Sequence, residues 1–420
     1  MTVAEMISLE EAQQLVLSSV KPMHAETVSL LDAVGRIAAA DVISDINVSP
    51  FDHAAMDGFA LRSAQVAGAS SEQPVQLRVI AEVAAGDFFD GEAAEGECVR
   101  IMTGAPVPAW ADTVVKYEIV RNVEGDGRLG SLVEFSAPSE PYSNIRLAGE
   151  EAKVGEPVVT AGELISSAGA GFVASCGAVE VSVYARPRVG IIAIGSELVE
   201  PPAVPGPGKI RNSNSYAMAA CAQAAGAIPV ILPIVEDTLE ALTAAVDQAT
   251  REYDFVVTTG GASNGDFDFI KPVVEQLGEL KMTSVNMRPG KAQTFGIVNG
   301  TPVFGLPGNP AAAYCGFELI IRPGLRKMQG FPEGSRPVVK AAMAKDQRKK
   351  DPRRIFLRGT LERTDDGLVF TPAKNQSSGS FGAIQRANCM GVMPEGLESK
   401  KAGDLIDCIL LDVPENAFPL

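Results

Sequence analysis

The segment from residue 186 to 330 limits the fold more than any other part of the chain. DFVVTTGG and TPVFGL read as strands, and RVGIIAI is a continuous apolar run. That pattern is expected of strands covered on both faces. IPVILPIV, TSVNM and QTFGIV read as further strands. Helical segments lie between them. SYAMAACAQAAG stops at Gly226, and a second helix is capped by Asp237 with Glu240 three residues on. A third starts near Asp268, and PAAAYCGFELIIRPGL is a fourth. Strand–helix alternation with short connections predicts a doubly wound α/β domain over 184–332. Ligands of such domains bind beyond the carboxyl ends of the strands.

At 420 residues the chain is too long for one core, so more domains are expected on either side. Residues 8–20 read as a helix, with Ser8 as N-cap and Glu11 completing a capping box. A short helix follows from Ser29 through LLDAVGRIAA. Residues 1–45 with 146–183 are expected to form a discontinuous α/β domain. Residues 46–145 read as a β-rich insertion, because VQLRVIAEV, ECVRIM and DTVVKYEIV alternate with Gly, Pro and Asp. In 333–420, RPVVKAAMA, RIFLRGTLE, GLVFTPA and LIDCILLDV predict a small antiparallel barrel or sandwich, and KDQRKKDPRR reads as a solvated loop.

Charge narrows the function. With 36 Lys and Arg against 52 Asp and Glu, the net charge is −16. That field repels nucleic acid and anionic membranes. A small anionic substrate then needs a local basic pocket, so cations beside Gly and Pro carry information. The six cysteines, Cys98, Cys176, Cys221, Cys315, Cys389 and Cys408, form no C-x-x-C pair, and only His24 and His53 join them. A zinc site is not expected, and scattered thiols fit a reducing cytoplasm. The N-terminus lacks an apolar signal core, and no run of about 18 apolar residues predicts a membrane span.

Three strand ends carry unusual loops. GSEL places Glu197 just past RVGIIAI. TTGGASNGDFDFIK offers Gly260 and Gly261 for close backbone approach to a ligand, then Asp266, Asp268 and Lys271. In GLPGNPAAA, Gly308 gives a turn, Asn309 can cap a helix and Pro310 takes its first position. A helix start beside Gly-rich backbone favours anions, and RPGK (Arg288 to Lys291) adds two positive charges. Each loop alone also reads as a plain turn. No dinucleotide fingerprint, P-loop or Ser-His-Asp set is present. Together the loops predict Mg²⁺-dependent chemistry at a phosphate of a nucleotide-like ligand.

As a set, the loops resemble the MoeA family, whose eukaryotic relatives form the E domains of gephyrin and of the plant molybdenum insertase. FDHAAMDGFAL (51–61), IMTGAPVPAWADTVV (101–115), TTGGASNGDFDFIK, MRPGKAQTFG and LPGNPAAA carry the resemblance in the family's order. It implies an L-shaped homodimer of four-domain subunits, with each active site completed by the partner subunit. The implied reaction inserts molybdate into adenylylated molybdopterin, releasing AMP with Mg²⁺ present. Asp57 and Thr103 would come from the partner subunit. Glu197, Asp237 and Asp268 would be the acidic, Mg²⁺-holding cluster. Asn212, Ser213, Asn214, Gly260, Gly261 and Ser263 would bind substrate. Lys271, Arg288 and Lys291 would hold phosphate or molybdate, and Pro307, Gly308, Asn309 and Pro310 would shape the pterin-nucleotide groove. Arg353, Arg358 and Ser378 resemble positions linked to oxyanion binding. Three departures touch anion handling: Glu151 for the family's Asp, Ser284 for Lys or Arg, and Ala312 for Ser. The resemblance also allows a MogA-like adenylyltransferase as delivery partner. Such an adenylyltransferase, or a non-catalytic scaffold of the same fold, is the rival reading of this chain.

Overall fold

A computed structural model describes residues 6–261 and 269–412. The chain divides into two compact units. One holds the described residues up to Glu26 and from Tyr184 onward, and the other holds Thr27–Val183.

The first unit begins with helix α1 (Leu9–Ser19). Its capping box is present as expected: Ser8 Oγ accepts from Glu11 N at 3.2 Å, and Glu11 Oε2 accepts from Ser8 N at 2.7 Å. Leu9, Ala12 and Val16 face the core formed by the α/β region. The sequence reading groups this helix with 146–183. Its i, i+3, i+7 stripe says that a face is buried but not against what.

Six strands build the α/β sheet: β1 (Arg188–Ala193), β2 (Ile228–Ile231), β3 (Phe255–Thr259), β4 (Gly278–Ser284), β5 (Ala292–Val298) and β6 (Thr301–Leu306). Their order is β2-β1-β3-β6-β5-β4. The pairings β2·β1, β1·β3 and β3·β6 are parallel, while β6·β5 and β5·β4 are antiparallel. Val189 and Ile191 enter one apolar cluster with Phe255 and Phe304, and Ile192 enters the other with Val256 and Val303. Burial on both faces accounts for the uninterrupted apolar run. Helices α2 (Asn214–Ala224), α3 (Leu239–Glu252), α4 (Ile270–Leu277) and α5 (Pro310–Gly316) cover the sheet.

Two local expectations change here. Thr238, not Asp237, caps α3, its Oγ1 accepting from Ala241 N at 3.2 Å. Adjacent Asp and Thr are both good caps, and Asp237 is drawn elsewhere, as described below. The fourth helix passes through a π-helical segment, Phe317–Ile321, before Arg322–Met328. The start expected for α4 at Asp268 lies outside the described residues.

The C-terminal region is a closed barrel of β7 (Val338–Met343), β8 (Arg354–Thr364), β9 (Gly367–Pro372), β10 (Cys389–Met393) and β11 (Leu405–Leu410). The ring runs β8-β9-β7-β11-β10 and closes on β8. Its β7·β9 pairing is parallel, so the barrel is not wholly antiparallel. The short strand Met287–Arg288 adds to β8 in parallel, with Arg288 opposite Ile355.

In Thr27–Val183, a six-stranded sheet contains Gly58–Leu61, Val75–Val83, Glu97–Ile101 and Thr113–Lys116, the stretches expected to be β-rich. Phe59, Leu61 and Phe135 fill one side, while Ala60, Val99 and Ile101 fill the other. The helix expected from Ser29 is only Leu30–Ala33, capped by Ser29. Gly35, at φ +82°, turns the chain out of it. Among the described residues, no helix is long and apolar enough to cross a membrane.

Candidate active site

Two neighbouring hollows open where the parallel strands end. The first encloses about 370 Å³ between the ends of β1 and β3, the start of α2 and the Gly308–Pro310 turn. Gly260 fixes its floor. At φ +90° it has the left-handed backbone, and a Cβ there would drive into the carbonyl oxygen of Ile194. Only glycine permits that approach. Asn214 ties three elements together, its Nδ2 donating to Thr259 Oγ1 at 2.8 Å and to the Gly308 carbonyl at 2.9 Å. Its Oδ1, and Nδ2 of the buried Asn212, have no hydrogen-bond partner among the described residues. Both side chains line the hollow. A buried polar group left unpaired is costly, so the site offers a ligand one acceptor and one donor.

The acids stand at the tip of β1. Asp237 Oδ2 accepts from Ser196 N at 3.1 Å, which is why Asp237 is not free to cap α3. Glu197 folds back over Gly195, where a Cβ would meet its Oε2 at 2.5 Å. The two carboxylates thus hang on consecutive backbone units. Lys209, which sequence reasoning did not single out, donates from Nζ to the Ser196 carbonyl at 2.5 Å. Hard carboxylate oxygens beside a nucleotide-sized hollow suit Mg²⁺, which takes one or two carboxylates and completes its shell with water and substrate phosphate. Among the described residues no three His, Cys, Asp or Glu side chains gather into a cage. Asp268 and Ser263, the remaining expected members, lie outside the described residues.

The second hollow, about 730 Å³, is basic. Its wall carries Arg288 and Lys291 from the RPGK turn, and Arg348, Lys350, Arg353 and Arg358 from the barrel. The run KDQRKKDPRR is therefore not merely a solvated loop. Its Arg348, Lys350 and Arg353 face the cavity, and Lys349 is 5% exposed with Nζ donating to the Pro394 carbonyl. Composition alone cannot distinguish a basic loop in water from one folded over a pocket.

Arg358 is the most unusual member, at 1% exposure. Its Nη1 and Nη2 donate to the carbonyls of Phe356 and Ser377, each at 3.2 Å. Its Nε has no partner, and no carboxylate pairs with it among the described residues. Burial pushes its pKa down, yet arginine keeps its proton in proteins. Gln376, also missed from sequence, clamps this position: it accepts from Arg358 N at 3.1 Å and donates to Arg358 O at 2.8 Å.

One ridge divides the hollows. Asn309 belongs to both walls; Pro307 and Ser378 face the basic side, and Gly308, Pro310 and Gly379 face the other. Ala311 N donates to Ser378 O at 2.7 Å, locking the two loops that form the ridge. Asn309 starts α5 with Pro310 next, but makes no side-chain cap bond. Glu197 and Arg288 therefore face adjacent chambers. Ser213 and Asn212 line the first, while Gly261 and Lys271 line neither. Ala312 is on the basic wall, so its missing hydroxyl is felt there; buried Ser284, in β4, reaches neither.

In the other unit, Asp57 and Thr103 form an exposed pair. Asp57 Oδ1 accepts from Thr103 Oγ1 at 2.7 Å and from its N at 2.8 Å. The Thr103 side-chain bond, then the backbone bond, lowers the Asp57 pKa and keeps it anionic. Glu151 lines a shallow hollow with Gly171, Phe172 and Ser175. All six cysteines are buried and free, and burial pushes Cys98 and Cys315 up to about 12. Neither thiol is a ready nucleophile.

Comparison with known proteins places the chain in a family. Residues 7–177 match the MoeA N-terminal region (domain I and II), 190–327 the family described as "Probable molybdopterin binding domain", and 340–411 the MoeA C-terminal region (domain IV). The molybdopterin molybdenumtransferase of Staphylococcus aureus (strain COL) is 36% identical over 407 residues, covering 97% of this chain and 96% of its own. The chain belongs to the MoeA family. The Bacillus subtilis (strain 168) molybdopterin molybdenumtransferase is 35% identical, covering 96% of this chain and 94% of its own. A solved MoeA structure from Pyrococcus horikoshii OT3 superposes with a TM-score of 0.83 at 27% identity, covering 97% of this chain and 100% of that one.

Proposed function

We propose that this chain is a transferase of molybdenum cofactor biosynthesis that inserts molybdate into adenylylated molybdopterin and releases AMP. The observation that carries the reading is Arg358. A guanidinium buried to 1% exposure, with no carboxylate paired to it among the described residues, is strongly unfavourable unless an anion completes it. The cavity beside it is walled by five further cations. A tetrahedral dianion such as molybdate meets that need through charge-assisted hydrogen bonds.

The adenylylated pterin takes the other chamber. The unpaired Asn212 Nδ2 and Asn214 Oδ1 bind its polar edges, and the Gly260 backbone allows close approach. Mg²⁺ is held by Glu197 and Asp237, with Asp268 as the further acid implied by family likeness. When bound, it neutralises charge on the phosphoanhydride and its leaving group. Asn309 and Ser378, on the ridge, orient the two ligands towards each other. The chain acts as a homodimer in the cytoplasm, with Asp57 and Thr103 of the partner subunit closing the site. The likeness of FDHAAMDGFAL and IMTGAPVP to the family's segments, and the exposure of this pair, support that role. A MogA-like adenylyltransferase would supply the substrate.

The test is single-turnover assay of adenylylated molybdopterin with Mg²⁺ and molybdate. Molybdate-dependent AMP release is expected, with Asp237→Asn slowing it by at least about a hundredfold, within the range for losing electrostatic stabilisation of a developing charge. Net formation of the adenylate from molybdopterin and MgATP would instead favour the adenylyltransferase reading. No turnover of either kind would favour a scaffold.

A further inference from the structure

Behind the basic wall stands one carboxylate that does not itself face the cavity. Asp351 Oδ2 accepts from Arg353 Nη2 at 2.5 Å and from Arg288 Nη1 at 3.1 Å, while Oδ1 accepts from Arg353 Nε at 2.9 Å and Arg353 N at 3.0 Å. Its side chain is 13% exposed. Both arginines do line the cavity. Arg353 is gripped on its other side by the Met287 carbonyl, which accepts from Nη1 at 3.4 Å. Arg288, 56% exposed, has Asp351 as its ion-pair partner among the described residues.

We propose that Asp351 is a positioning residue for oxyanion binding, fixing the guanidinium groups of Arg288 and Arg353 from behind so that their remaining edges meet the anion at a set spacing. The inference rests on the reading that this hollow holds molybdate. The two arginines come from segments 65 residues apart in sequence, and only a short parallel pairing, Met287 opposite Arg354 and Arg288 opposite Ile355, sets their backbones side by side. That pairing places the Cα atoms; it does not aim a long flexible side chain. For Arg353 a bidentate carboxylate does, because the planar guanidinium fork accepts one orientation, while a single Nη1 bond anchors Arg288. Asp351 stays ionised to do this: the Arg353 hydrogen bond, reinforced by Arg288, holds its carboxyl well below the usual carboxylate range. Pre-aimed donors raise affinity by lowering the ordering that binding requires. Supporting residues behind a ligand-holding group commonly matter by about ten- to a hundredfold when lost.

The experiment is calorimetric titration of the full chain with sodium molybdate. Asp351→Asn removes the charge and one of two acceptor oxygens and sets an amide N–H against guanidinium donors, so the paired hold on both arginines is lost. We expect molybdate affinity to fall about tenfold, although the hollow has become more positive by one charge and its salt dependence steeper. In an Arg288→Ala/Arg353→Ala background the same substitution should cost nothing further, since Asp351 acts through those residues. A merely structural role would instead give the same loss in both backgrounds, and that result overturns the proposal. So does unchanged affinity in Asp351→Asn while the wild type binds. If Asp351→Asn does not fold, Asp351→Glu, which keeps the charge but moves the carboxylate by one methylene, carries the test with a loss in the same direction. Failure of the wild-type chain to bind molybdate overturns both this inference and the function it rests on, whereas the other contrary results leave that function standing.

Discussion

A guanidinium carries its charge wherever the chain puts it, and at Arg358 the chain puts it at 1% exposure with two carbonyls and an unpaired Nε. Removing it from a protein that used it only for packing would cost stability. Removing it from an oxyanion site costs affinity. Arg358→Met, which keeps length and drops charge, should therefore leave the thermal midpoint within a few degrees of wild type. It should weaken molybdate binding at least tenfold, about 1.4 kcal/mol. Differential scanning fluorimetry and molybdate titration measure the two effects separately, and a large drop in midpoint with intact binding would return Arg358 to the core. At this scale the sequence was informative about residue types and silent about partners. Glu197 stands just past β1 as expected, because a short loop after an apolar strand is visible in one dimension. Asp237 was read as a helix cap because Thr238 beside it has the same capping chemistry. The bond that separates them, Ser196 N to Asp237, crosses 41 residues.

Among the elements, the end of β3 turns tightly at Gly260. Gly260 has φ +90° and no room for a Cβ, whereas Gly206, in the Pro-rich connection before α2, has nothing within 4 Å of where a Cβ would sit. Gly260→Ala should lower the urea unfolding midpoint by an amount equivalent to about 1–3 kcal/mol or more, from strain and clash together. Gly206→Ala should be neutral within about 0.5 kcal/mol. Equal effects would mean that the tight turn under the first hollow is not needed. The elements most legible in the sequence were those with a local cause: the α1 capping box and the strands buried on both faces. Those set by distant pairing were harder. CMGVM, which becomes β10, closes the barrel only by pairing with both β8 and β11. The basic run before β8 looked solvated because nothing nearby in sequence reveals the RPGK turn opposite it.

For the whole molecule, the claim is that one reaction is shared between two chambers, one basic and one bearing Glu197 and unpaired amides, divided by a ridge centred on Asn309. With a net charge of −16 the protein repels anions on average, so the local cluster of six cations must overcome that field at short range. The family likeness named the reaction from motifs in order along the chain, but the division into chambers depends on where loops meet in space. Crystals of the full-length protein soaked with AMP, Mg²⁺ and molybdate test it directly. The account predicts molybdate against Arg358 and Ser378, and AMP on the other side of Asn309, with its phosphate towards Glu197 and Asp237. Density for both ligands in a single chamber, or for molybdate away from Arg358, would contradict it.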